Sequence, residues 1–101
     1  MKKYELLSII KPNLDMEEID KVVASLEENI KKIGGNVFNT DKMGRRKLAF
    51  EMQKFRDGFY VILNIELPEN KVVELRRYIK LNENYLKEMV FVASKEKVAV
   101  K

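Results

Sequence analysis

The sequence predicts an α+β sandwich of β-α-β-β-α-β order, a four-stranded antiparallel sheet carrying two helices on one face. Three observations carry that expectation. Two apolar stripes at helical spacing, at residues 16–33 and 68–81, sit among four stretches of strand character. Phe59, Val61, Leu63, Ile65 and Leu67 are apolar at every second position, as a strand with one buried face requires. The 101 residues suffice for one modest core, and no linker, repeat or low-complexity segment divides them. A single domain over residues 1–94 is expected, followed by a short basic tail at 95–101.

The first strand is read at 3–10, closed by Lys11, Pro12 and Asn13. Tyr4, Leu6 and Ile10 are assigned to the helix side, and Glu5, Leu7 and Ile9 to the outside. Asp15 and Glu18 form a D-x-x-E capping box opening the first helix, with Leu14 and Ile19 as its hydrophobic staple. Met16, Ile19, Val22, Val23, Leu26, Ile30 and Ile33 make the buried stripe. Lys31 and Lys32 suit the negative end of the dipole, and Gly34-Gly35 ends the helix.

The second strand is long, 36–53, with Gly44 as a bulge or bend. Leu48 and Phe50 are expected to anchor it in the core, with Met52 on the same face. Asp57-Gly58 then predicts a tight turn into a third strand at 59–67. Tyr60, Ile62, Asn64 and Glu66 face outward there. The second helix begins near Pro68, buries Val72, Leu75 and Ile79, and ends between Leu81 and Asn84. A fourth strand at 88–94 completes the ferredoxin-like arrangement. Leu7, Ile9, Ile62 and Phe91 are left on the open face of the sheet, an apolar surface that suits a partner or is partly covered by the tail.

Composition narrows the chemistry. Neither Cys nor His is present, which excludes disulfides, thiolate metal sites, cysteine nucleophiles and the commonest general base. The glycines at 34, 35, 44 and 58 form no phosphate-cradling motif. Glu17, Glu18 and Asp20 match a helix dipole better than a metal, and Ser8, Ser25 and Ser94 have no histidine to activate them. No metal, cofactor or catalytic residue is expected. No apolar run reaches the length of a membrane span, and residues 1–5 lack the apolar core of a signal peptide, so a cytoplasmic location is expected.

The net charge of +4 is uneven: residues 35–58 carry six cations against three anions, whereas residues 1–34 carry six against seven. That asymmetry suits a polyanion, with a solvated lysine-rich surface as the bland alternative. Met43 and Gly44 lead into Arg45, Arg46 and Lys47, which a strand cannot bury cheaply. Lys42 stands just before this run, Lys54 and Arg56 follow it, and Lys2 and Lys3 open the first strand. Lys87 adds a cation near the fourth. Tyr60 and Phe91 add aromatic rings on the open face, although strand one lacks the paired aromatics that an RNA recognition motif uses.

These residues, in order, resemble a known family. The opening Met-Lys-Lys-Tyr-Glu, Pro12-Asn13, the run from Gly44 to Phe50, Lys54, Gly58-Phe59-Tyr60, Leu67-Pro68 and Met89-Val90 are similar to the sixth protein of the bacterial small ribosomal subunit. Phe50, Glu51 and Met52 depart from its usual tyrosine, proline and isoleucine or valine. The resemblance implies a structural, non-catalytic component of the ribosome. It implies binding to the central domain of small-subunit ribosomal RNA, alongside the eighteenth small-subunit protein. Lys2, Tyr4 and the run Gly44 to Lys47 are implied parts of those surfaces, although parity places the Tyr4 ring inward. A regulatory or protein-interaction module without RNA binding, taking a small ligand at a dimer edge, is the alternative.

Overall fold

The computed structural model describes residues 2–92, and the expected tail and the end of the fourth strand lie outside them. The order is β1 (Lys2–Ile10), α1 (Met16–Lys32), β2 (Asn36–Met52), β3 (Phe55–Leu67), a 3-10 turn (Glu69–Lys71), α2 (Val72–Leu81) and β4 (Tyr85–Val92). The strands lie in the order β2-β3-β1-β4, every neighbouring pair antiparallel. The predicted β-α-β-β-α-β sandwich is the observed one.

Local chemistry fixes α1 at both ends. Asp15 Oδ1 accepts from the Glu18 amide at 2.8 Å, and Glu18 Oε1 accepts from the Asp15 amide at 3.1 Å. Two orphan amides of the first turn are thereby satisfied. At the other end the Gly34 amide donates to Lys31 O and the Gly35 amide to Ile30 O, the paired bonds of a Schellman ending. Pro68 caps the 3-10 turn, and α2 begins four residues after it.

The core is the helix side of the sheet. Leu6 and Ile10 of β1, all five alternate residues of β3, Ile19, Val22, Val23, Leu26 and Ile30 of α1, Leu75 and Ile79 pack there with Tyr4 and Tyr85, and Ile33 packs partly buried against them. Met16, expected in the same stripe, is exposed, because it stands in the first turn of the helix, beyond the reach of the sheet. Tyr85 hydrogen-bonds weakly to Val22 O at 3.5 Å, and burial pushes its phenol well above the ordinary tyrosine range. Tyr85 also explains why β4 starts at 85 and not 88: it pairs with Ile10, and the Asn84 amide donates to Asn82 Oδ1 in the tight turn before it.

Asp57-Gly58 is not the hairpin turn. β2 and β3 stay paired beyond it, through Lys47 opposite Asp57 to Met52 opposite Phe55. The turn is Gln53-Lys54, with φ of 48° and 72°. Positive φ at both central positions is the geometry that suits the strand twist, and it is normally filled by Asn-Gly. A left-handed conformation costs an ordinary L-residue about 1–2 kcal/mol. Exchanging Gln53→Asn together with Lys54→Gly is therefore expected to stabilise the fold by about 1 kcal/mol, read as a higher urea midpoint at unchanged m.

Gly58 meets a different need. A Cβ there would lie 2.3 Å from Ile9 Cγ2 and 3.3 Å from Leu48 Cδ2. The bare backbone lets Ile9 and Leu48 close over it on the outer face. Ile9, expected to be exposed, is consequently only 4% exposed. Leu48 is buried, but on the side of the sheet away from the helices. Phe50 is 64% exposed and anchors nothing, because the ribbon carrying it extends beyond the last β1–β3 pair, Ile10 opposite Phe59.

Candidate nucleic-acid interface

Two irregularities in β2 decide where its charges point. Val37 pairs with Ile65 and Asn39 with Asn64, leaving Phe38 extra; Lys42 pairs with Val61 and Gly44 with Tyr60, leaving Met43 extra. Gly44 takes φ of +97°, which a side chain would strain. Directly opposed residues share a face. Thr40 and Lys42 therefore lie on the helix side, where Thr40 Oγ1 donates to Glu27 and Lys42 pairs with Asp20. Past the second bulge, Arg45 faces the helix side opposite Phe59, and Arg46 faces outward opposite Gly58.

Beyond Lys47 the ribbon bends. Residues 48–51 stand opposite Arg56 alone, so β2 bows outward before rejoining β3 at Met52 and Phe55. The bent tip reaches across the sheet end, and Gln53 shares a surface cavity with residues of α2 and β4.

Arg46, Lys47, Lys54 and Arg56 all sit on this ribbon and are exposed. None of them makes an ion pair within 4 Å among the described residues. Glu51 and Asp57 are its only carboxylates, so the ribbon carries a surplus of cations. Arg45 stands at its base, where Nη2 donates to Pro12 O at 2.8 Å and ties β2 to the loop after β1. The cations that the sequence offered as phosphate contacts are brought together on this ribbon, with Arg45 partly committed to the scaffold.

Other residues expected at the interface lie elsewhere. Lys2 and Lys3 lie at the opposite end of β1, opposite Leu67 and Glu66, about 25 Å away along the strand. Lys2 Nζ is 2.7 Å from Glu69 Oε2; that hydrogen bond holds the ammonium above its ordinary pKa and the Glu69 carboxyl below its own. Both groups are in water, so the pair is screened. Lys3 Nζ lies 5.5 Å from the Phe38 ring centroid, within cation–π range. The Tyr4 ring is buried in the core, as parity requires.

Tyr60 and Lys87 belong to one outer row, running Gly44, Tyr60, Ile9, Lys87 across the four strands. The next row is Asp41, Ile62, Leu7, Met89, and the row after that ends in Glu5 and Phe91. Met89 was absent from the sequence reading of this face; strand parity with Phe91 was the signal that would have included it. The outer face is thus a partly covered apolar patch: Leu7, Ile62 and Met89 are half-buried, and Phe91 is 46% exposed.

Comparison with known proteins agrees with this geometry. The family model for ribosomal protein S6 matches residues 3–92. A small ribosomal subunit protein bS6 from Dictyoglomus turgidum is 35% identical, covering 95% of this chain and 99% of its own length. Another from Acidobacterium capsulatum is 42% identical over 83% of the chain, which spans 60% of that relative's length. The crystal structure of 30S ribosomal protein S6 from Thermotoga maritima superposes with a TM-score of 0.87 at 26% identity, covering 99% of this chain and 98% of that one. The fold, the matched span and these identities place the chain in the ribosomal protein S6 family, the structural, non-enzymatic components of the bacterial small ribosomal subunit, which work in the cytoplasm among ribosomal partners that include ribosomal RNA.

Proposed function

We propose that this chain binds the central domain of small-subunit ribosomal RNA together with the eighteenth small-subunit protein. The bent β2–β3 ribbon takes the RNA, and the outer face of the sheet takes the protein. The observation that carries the RNA half is the group Arg46, Lys47, Lys54 and Arg56, exposed on one projection with no ion pair among the described residues. Unpaired guanidinium and ammonium groups lose least when they exchange water for phosphate oxygens, and they release counterions from RNA as they do so. Phosphate contacts of this kind set position and register without reading sequence.

The protein half is supported by the outer rows. Leu7, Ile62 and Met89 form an apolar centre, with Tyr60 beside it and Phe91 at its edge. Such a centre with a polar surround is the anatomy of a protein interface. Lys2 and Lys42 contribute little to either surface, because each is already paired with a carboxylate.

The test is a mobility-shift titration of central-domain ribosomal RNA with the full chain, at several salt concentrations, with and without the eighteenth small-subunit protein. The expected result is an affinity that falls steeply with salt and rises when that protein is added. Strong self-association with no salt-dependent RNA affinity would favour the regulatory-module reading instead.

A further inference from the structure

The cavity at the hairpin tip has features that phosphate contact does not require. It measures about 380 Å³ and is lined by Gln53, Arg76, Ile79, Lys80, Tyr85, Leu86, Lys87 and Glu88. That volume is at the small end of the range for small-molecule pockets. The Glu88 side chain is only 6% exposed, yet its single side-chain partner among the described residues is Arg76, whose Nε donates to Oε1 at 3.1 Å. A carboxylate has about four acceptor sites, so most of the capacity of Glu88 remains open toward the cavity. Lys80 and Lys87 make no ion pair with a described residue. Gln53 is held at the rim by a backbone conformation that an ordinary residue adopts at a cost.

We propose that this cavity binds a guanine nucleotide, with Glu88 accepting from the base edge and Lys80 and Lys87 neutralising phosphate. The choice of base follows from the acceptor. A carboxylate needs two donors side by side, and guanine supplies them as N1–H and the N2 amine. Adenine and cytosine each present a donor beside an acceptor, and uracil a single donor between two acceptors. Leu86 supplies an apolar wall for a base, with the narrow exposed edges of Ile79 and Tyr85 at the cavity floor. Gln53, with both a donor and an acceptor, is placed to bond the remaining polar edge. The nucleotide is either an unstacked guanosine of the RNA or a free one. The first rests on the RNA-binding reading, since Gln53 adjoins Lys54 and one strand would pass from the ribbon into the cavity.

The test is an NMR titration of the isotope-labelled full chain with GMP, IMP and AMP. GMP at millimolar concentrations is expected to move the amides of Gln53, Lys80 and residues 86–88. IMP, which lacks the N2 amine, should bind about tenfold more weakly, the worth of one charge-assisted hydrogen bond. AMP, with the same phosphate but no paired donors, should move the Lys80 and Lys87 amides only weakly and leave those of Gln53 and Glu88 in place. Glu88→Gln should lower GMP affinity about tenfold and abolish the preference over IMP. Because that change also releases Arg76, Gln53→Ala at the turn serves as a second variant, expected to weaken GMP several-fold with the fold intact. Equal shifts with AMP, or no shift with GMP, would overturn the proposal whatever the RNA assay shows. Given GMP binding, replacing unpaired guanosines of the central-domain RNA with inosine separates the sources: weakened RNA binding points to the RNA, unchanged binding to the free nucleotide.

Discussion

Replacing Arg46, Lys47, Lys54 and Arg56 together with alanine is expected to lower affinity for central-domain ribosomal RNA by about 100-fold at moderate salt. It should also flatten the dependence of log affinity on log salt by about three units, since each lost phosphate contact removes close to one. The fold should survive, because all four side chains are exposed and none has an ion-pair partner among the described residues. Lys2→Ala with Lys42→Ala is the control. It removes two cations against the ribbon's four, but both already face Glu69 and Asp20, so the slope should barely change. An equal loss per charge removed from both sets would mean that net charge, and not the ribbon, holds the RNA. Filter binding across a salt series measures both quantities.

Gly58→Ala is expected to be strongly destabilising, costing about 2–3 kcal/mol. The added methyl would meet Ile9 Cγ2 at 2.3 Å and Leu48 Cδ2 at 3.3 Å, so the buried, β-branched Ile9 must leave its rotamer or β1 and the ribbon must part. On a domain whose total stability is of the order of 5–15 kcal/mol, that is a large share. The sign of the coupling tests the cause. Ile9→Ala alone should destabilise by leaving a gap, whereas combined with Gly58→Ala it should cost much less than the sum of the two. Additive losses in urea unfolding would show that Gly58 is required for its backbone and not for the space above it.

Most of the framework was legible because short-range chemistry determined it. The Asp15-Glu18 box, the α1 stripe and the alternation of β3 each needed only their own residues to be read, and they stand as expected save for Met16, which is exposed in the first turn. What was misread lies in β2. Raw alternation put Leu48 and Phe50 in the core, but one extra residue at Phe38, another at Met43 and three between Lys47 and Met52 make position number a poor guide to face. The Asp57-Gly58 turn failed for a related reason. Glycine there signals close approach of Ile9 across the sheet, and a lone sequence does not show what lies across a sheet. The ribbon cations were legible as composition, yet not as a group separate from Lys2, Lys3 and Lys42, since that separation depends on the β3 register and on carboxylates distant in the chain.

The two one-residue bulges of β2 also set how this strand can change in length. Skip Phe38 and Met43, and the remaining residues from Asn36 to Lys47 alternate strictly between the two sides of the sheet. Deleting either residue would straighten the strand and leave every neighbour on its present side. Deleting any other residue between them would invert the side of all that follow, carrying Arg46 beneath the helices and Arg45 out of reach of Pro12. Loss or gain of a single codon is therefore tolerable at two addresses in this strand, and at the others it would rewrite the surface that the strand presents.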